Sequence, residues 1–159
     1  MNKFRKSEGF SLVELMIVVA IMAILAAIAI PSFMKFSMRA KTSEATQNLG
    51  AIRTGEESYR SENDVYLACA AYPAAVPPAA GTLWDDTASG SFPTIGFAAE
   101  GKVRYQYAVT VTAPTATTPP LFSATATGNL DEDATDAVYT IDKSVATYPK
   151  AILTPAGEF

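Results

Sequence analysis

The sequence predicts an α+β fold in which a long N-terminal α-helix, kinked at Pro31, packs against a small antiparallel β-sheet. Three observations carry this. From Leu12 to Ile30 there are nineteen residues, and only Glu14 is polar. Past Pro31 the chain turns amphipathic with a helical period. From Asn63 onward it is rich in Pro, Thr, Ala and Tyr and holds short alternating segments.

The chain divides into four zones: a basic leader over 1–9, an apolar helical half over 10–30, an amphipathic half over 31–62, and a C-terminal head over 63–159. The 10–30 zone is apolar all round, as a helix inside lipid or inside a bundle must be. Its β-branched residues are interspersed with Ala, Leu and Met, which favour the helix. Pro31 removes a backbone donor and crowds the preceding turn, so a kink or local loosening is expected there. In the next zone Ala45, Leu49 and Ile52 fall at i, i+4 and i+7, and Tyr59 continues the stripe one turn after Glu56. Lys35, Arg39, Lys41, Glu44, Gln47, Arg53, Glu57 and Arg60 occupy the other faces. Gly50 and Gly55 each cost about 1 kcal/mol relative to Ala in a helix interior and leave room for close packing. A continuous helix from Phe10 to Glu62 would span about 80 Å, more than a compact domain of this size can enclose.

A connection from Tyr72 to about Gly101 is punctuated by Pro73, Pro77, Pro78, Gly81, Gly90, Pro93 and Gly96. Trp84, Phe92, Ile95 and Phe97 are expected to pin it to the head. The clearest strand is Lys102–Thr112, where Val103, Tyr105, Tyr107, Val109 and Val111 alternate with more polar residues. Leu121–Thr127 and Ala137–Asp142 are two further strands, and Val145–Tyr148 or Ala151–Leu153 a fourth. Short links between successive strands predict an antiparallel meander covering the amphipathic half of the helix.

Composition narrows the function. The chain has no histidine, which removes the commonest general base and metal ligand, and no nucleophile–base pair is recognisable. An enzyme is not expected, nor a cofactor. No Gly-rich loop ending in Lys-Ser or Lys-Thr is present to bind ATP. Net charge is −4; the leader, with Lys3, Arg5 and Lys6 against Glu8, carries +2, so the remainder carries −6. An acidic body argues against nucleic acid as a specific partner. Cys69 stands alone, so no internal disulfide forms, and it reads as a small buried apolar residue. Asp131, Asp133 and Thr135 match the first ligand spacings of a calcium loop, with Asp142 at its twelfth position. Asp136 stands where that loop needs Gly, so a solvated acidic turn is the better reading.

The front of the chain is sharper. A conventional signal peptide would use a small-x-small cut such as Ala27-Ile28-Ala29 and leave an exported binding domain. The apolar run is longer than a signal core, and Glu14 sits where that core should be cleanest. A carboxylate in a membrane-length segment is costly and marks function. Gly9 before Phe10 points instead to a cut ahead of the apolar run.

The string Gly9-Phe10-Ser11-Leu12-Val13-Glu14-Leu15-Met16-Ile17-Val18-Val19-Ala20-Ile21, with Ile24 to Pro31, resembles a type IVa pilin, a prepilin with a class III leader. Arg104-Tyr105-Gln106-Tyr107 and the stretch from Gly128 to Asp142 are similar to longer members of that family. Glu8 departs from it, since a basic residue is commoner beside the cut. The resemblance implies cleavage between Gly9 and Phe10 by prepilin peptidase, N-methylation of Phe10, and Glu14 as the residue for subunit docking and methylation. It implies a homopolymeric surface filament serving adhesion, twitching motility or biofilm formation. The subunit would wait in the lipid bilayer of the inner membrane and be handled there by the pilus assembly machinery. Pro31 would let the helix bend or extend. A minor pilin or a type II secretion pseudopilin shares the architecture.

Overall fold

The computed structural model describes residues 9–115 and 119–143. Two compact units are distinguished, 1–37 and 38–159, and each is described by itself. One helix, α1, runs Leu12–Asn63 and belongs in part to each. It starts two residues later and ends one later than the sequence predicts, and it continues through Pro31. The leader residues 1–8 and the fourth strand expected within 145–153 lie outside the described residues.

In the first unit the helix surface is exposed along its length, and Phe10, Leu12, Met16, Ile24 and Ile28 are all open to their surroundings. One helix here is long and apolar enough to cross a membrane.

In the second unit the amphipathic stripe is buried as expected: Ala45, Leu49 and Ile52 are core residues. Glu56 is buried with them at 0% exposure. Among the described residues six strands follow: β1 (Cys69–Tyr72), β2 (Thr82–Leu83), β3 (Lys102–Val103), β4 (Gln106–Thr112), β5 (Leu121–Gly128) and β6 (Ala137–Asp142). A four-stranded antiparallel sheet has the order β1-β4-β5-β6, and β2 pairs with β3 in a separate ribbon. The strand expected over Lys102–Thr112 is therefore two, parted at Arg104-Tyr105, and each half joins a different sheet. Its alternation survives the break, because Val103, Tyr105, Tyr107 and Val109 all point into the core.

Register explains the residue sizes on the inner face. Tyr107 pairs with Ala126 and Ala126 with Tyr139, so one small residue separates two large ones. Val109, Ala124 and Ile141 form the next row. Gly128 ends the second predicted strand from inside it: a Cβ there would lie 2.5 Å from the Tyr105 ring. The outer face, with Ala108, Thr110, Thr125, Thr127 and Thr140, is small and polar, as a half-solvated antiparallel sheet requires.

The long connection is held by aromatic edges. Trp84 packs against Tyr72, Phe92 and Phe97, with ring centroids 4.9, 5.5 and 5.4 Å away. A 3-10 turn, Phe92–Ile95, brings the Ile95 carbonyl so near α1 that only a glycine, Gly55, fits opposite it. Gly50, by contrast, faces open space.

Candidate functional site

The sequence places four site residues at the front of the chain, and all are described. Gly9 and Phe10 precede the helix and are exposed, Phe10 at 79%. Ser11 is the last residue before α1, and its carbonyl accepts the Leu15 N–H at 3.2 Å, the first bond of the helix. Glu14 turns back over that start: its Oε2 lies 3.5 Å from the Ser11 N–H. A carboxylate one turn into a helix, facing an orphan N–H, is half of a capping box and also complements the helix dipole. Its sequence signal is the Ser-x-x-Glu spacing of Ser11 and Glu14. Pro31 lies farther along the same exposed surface.

The chemistry of this surface is that of an apolar rod bearing a single carboxylate near its N-terminus. Such a rod can partition into lipid or pack against copies of itself.

The second unit holds its polar groups as fasteners. Glu44 Oε1 accepts the Arg104 backbone N–H at 2.7 Å, and Oε2 accepts from the Arg104 guanidinium at 3.1 Å. The Tyr107 hydroxyl stands 3.5 Å from the same carboxylate and accepts from Asn48 Nδ2 at 2.8 Å. Together they tie α1 to β4 and to the residues between β3 and β4.

At the helix end Glu57 Oε1 accepts from Lys143 Nζ at 2.5 Å and from the Tyr66 hydroxyl at 3.2 Å. Burial works against ionisation of Glu57, but Lys143, Tyr66 and Arg60 outweigh it and hold its carboxyl below the ordinary value. Glu56 behaves oppositely. Its Oε2 accepts the Leu67 N–H at 3.0 Å, while Oε1 is buried without a partner. Burial raises its pKa; the Leu67 bond opposes this and the neighbouring Glu57 charge adds to it. Burial and the nearby Glu56 push the Cys69 thiol up to about 12, which makes it a poor nucleophile.

The acidic residues do not converge. Asp131 and Asp133 lie in the exposed turn between β5 and β6, where Asp133 Oδ1 accepts the Thr135 N–H at 2.6 Å. Asp142 is at the other end of β6, opposite Ser123, whereas Ala137 at the turn faces Gly128. Five residues of strand, about 17 Å, separate Asp142 from that turn. A calcium loop needs its twelfth residue back beside its first, so this hairpin does not form one. Among the described residues no group of three or more metal-ligating side chains comes together.

Comparison with known proteins points to the same end of the chain. A family profile described as a prokaryotic N-terminal methylation motif matches residues 4–30. The type IV major pilin protein PilA of Myxococcus xanthus is 59% identical over 61 residues, covering 38% of this chain and 28% of that protein. A fimbrial protein of Pseudomonas aeruginosa is 46% identical over 54 residues, covering 34% of this chain and 35% of its own length. The type II secretion system core protein G of Vibrio cholerae is 35% identical over 66 residues, covering 42% and 45%. The chain thus spans less than half the length of these curated relatives. No solved structure gives a significant match.

Proposed function

We propose, on the premise that this N-terminal region is that of a type IV pilin, that the protein is a structural subunit of a type IV pilus. The observation that carries the reading is the apolar rod itself: nineteen residues from Leu12 to Ile30, exposed throughout, interrupted only by Glu14. Burial of apolar surface is worth about 25 cal/mol per Å², so such a surface demands either lipid or neighbours. Lipid is already apolar, and the exchange of lipid for protein neighbours is therefore nearly balanced. Assembly and disassembly can then be driven either way by external machinery.

Prepilin peptidase would cut between Gly9 and Phe10, releasing the leader and creating a cationic amine on Phe10. N-methylation leaves that amine protonatable. In the single subunit the Glu14 carboxylate is used on its own helix start, over the Ser11 N–H. In the filament it meets the Phe10 amine of a neighbour. A charge in the centre of a lipid layer costs roughly 2.5–3.5 kcal/mol on insertion scales. An in-register neighbour offsets part of this, so Glu14 acts as a docking and register device. The subunit would reside in the inner membrane before assembly and in an extracellular pilus afterward, working in adhesion, twitching motility or biofilm formation.

The test is the intact mass and N-terminal sequence of the mature protein, with pilus yield from Glu14→Ala. Methylated Phe10 and a large loss of sheared fibres are expected. A mature start near Ile30 defeats the reading, and normal fibre yield defeats the role of Glu14. The similarity to the Vibrio secretion protein supports a second reading, a pseudopilin, at lower identity. Abundant subunit in sheared surface fibres rules for the pilus.

A further inference from the structure

Beyond Pro31 the helix surface does not turn polar at once. Phe33, Met34 and Phe36 are exposed at 71%, 56% and 70%, and Lys35 is exposed among them. No neighbour in the first unit covers them. From Pro31 to Ser43 the sequence holds Lys35, Arg39 and Lys41 and no acidic residue; after Glu14 the next acid is Glu44.

Length fixes where these residues fall. The nineteen residues Leu12–Ile30 rise about 28 Å, close to the roughly 30 Å hydrocarbon thickness of a bilayer. Phe33 to Phe36 then lie about 5–9 Å past the end of the run. That is the depth of the boundary between headgroups and acyl chains, where apolar Phe and Leu of interfacial helices bury and long basic side chains reach the phosphates. Phe33 and Phe36, at i and i+3, share one face, and Lys35 can reach phosphate while its stem stays on apolar surface.

We propose that Phe33, Met34, Lys35 and Phe36 form an interfacial collar that binds the phosphate headgroups of the leaflet into which the helix emerges. The inference rests on the membrane-anchored stage of the pilus reading and goes beyond it, because it assigns the collar a ligand and a task. The collar fixes how far the subunit stands out of the bilayer while it awaits assembly. The positively charged Lys35 fits anionic lipid, and the bilayer-matched length of the preceding run, which sets Lys35 at phosphate depth, selects lipid over a second copy of the chain. The body of the protein outside the leader is net acidic, but the collar itself carries only positive charge.

The experiment uses the full chain in vesicles of phosphatidylcholine with phosphatidylglycerol, carrying bromine either near the glycerol end or near the methyl end of the acyl chains. Phe36→Trp is read by fluorescence quenching, after subtraction of the parent chain to remove Trp84. Quenching by shallow bromine is expected to exceed that by deep bromine at least about twofold, as for an interfacial ring. Ile21→Trp, from the middle of the run, is expected to show the opposite order. Adding Lys35→Glu should lower shallow quenching of the residue-36 tryptophan about twofold in the anionic vesicles and leave it unchanged in pure phosphatidylcholine. If the residue-21 probe is quenched by neither lipid, the membrane reading fails and the collar falls with it. If the residue-21 probe is quenched from the deep position while the residue-36 probe is unquenched, only the collar is overturned. A residue-36 probe shielded from bromine but blue-shifted in proportion to protein density also overturns it, since a second copy then covers that face. Equal shallow quenching with Lys35→Glu overturns the headgroup contact.

Discussion

Replacing Glu56 by Gln isolates one buried proton. The carboxyl is fully enclosed, with Oε2 on the Leu67 N–H and Oε1 facing no donor or acceptor. Gln keeps the acceptor for Leu67 and the shape of the side chain, and removes only the ionisation. Its amide nitrogen inherits the unpartnered position, which costs about 1–3 kcal/mol for a buried polar group. A neutral carboxylic acid bears a comparable penalty there, so in acid the two proteins should differ little. The difference grows with pH. Because the pKa of Glu56 is raised in the fold, mainly by burial, its stabilising contribution is full below about pH 4.3, the unfolded value. It is lost as pH rises through the folded value. Within that window the wild type loses up to about 1.4 kcal/mol per pH unit relative to the variant. Asp85, whose carboxyl is held low, tilts the absolute curve the other way equally in both proteins; Glu57, also held low, tilts it the same way as Asp85 and is coupled to Glu56, so its part belongs to the measured difference. Urea unfolding in mild detergent, followed by Trp84 fluorescence from about pH 4 to about pH 8, measures the difference. Trp84 is a suitable reporter because four aromatic rings, those of Tyr72, Phe92, Phe97 and Tyr107, surround it. A stability gap between variant and wild type that stays constant over this range refutes the reasoning.

Four further outcomes are expected. Gly55→Ala should destabilise the head by about 1–3 kcal/mol, since its Cβ meets the Ile95 carbonyl. Gly50→Ala on the same helix, facing open space, should stabilise by about 0.5–1 kcal/mol, and thermal melting of the pair separates packing from helix propensity. Glu44→Gln should cost about 1–3 kcal/mol in urea unfolding, because the Arg104 guanidinium loses a charged acceptor while its backbone N–H keeps one. Titration with calcium should leave the melting temperature unchanged, and a rise of several degrees would contradict the separation of Asp142 from Asp131 and Asp133.

Much of this was legible in the residues, and the misses have physical causes. The Ala45, Leu49, Ile52 stripe and the Val103 to Val109 alternation are burial periodicities, and both reappear in the core. Strand β1, Cys69-Ala70-Ala71-Tyr72, was not anticipated. It is short, poor in β-branched residues and followed by Pro73, and it exists because β4 offers a partner, with an irregularity between Cys69 and Tyr72. The break at Arg104-Tyr105 was hidden because alternation persists when a chain passes from one sheet to another. Glu56 was placed in the apolar stripe by its spacing, yet an acid is ordinarily expected in solvent, so its burial emerged only with the Leu67 backbone donor opposite it. At the front, the residues themselves mark Gly9, Phe10 and Glu14 as unusual, and the contact of Glu14 with the Ser11 N–H follows the Ser-x-x-Glu spacing.

The aromatic edges around Trp84 carry an implication for how this head can change over generations. The connection is fastened at a few interior points, Pro73, Pro77, Phe92, Ile95 and Phe97, while Ala74, Ala75, Ala80, Ala88 and Thr94 lie outside. Substitutions at those outer positions alter what the surface presents without touching what keeps the loop seated. The chemistry of this face can therefore change piece by piece while the interior fastening points stay as they are.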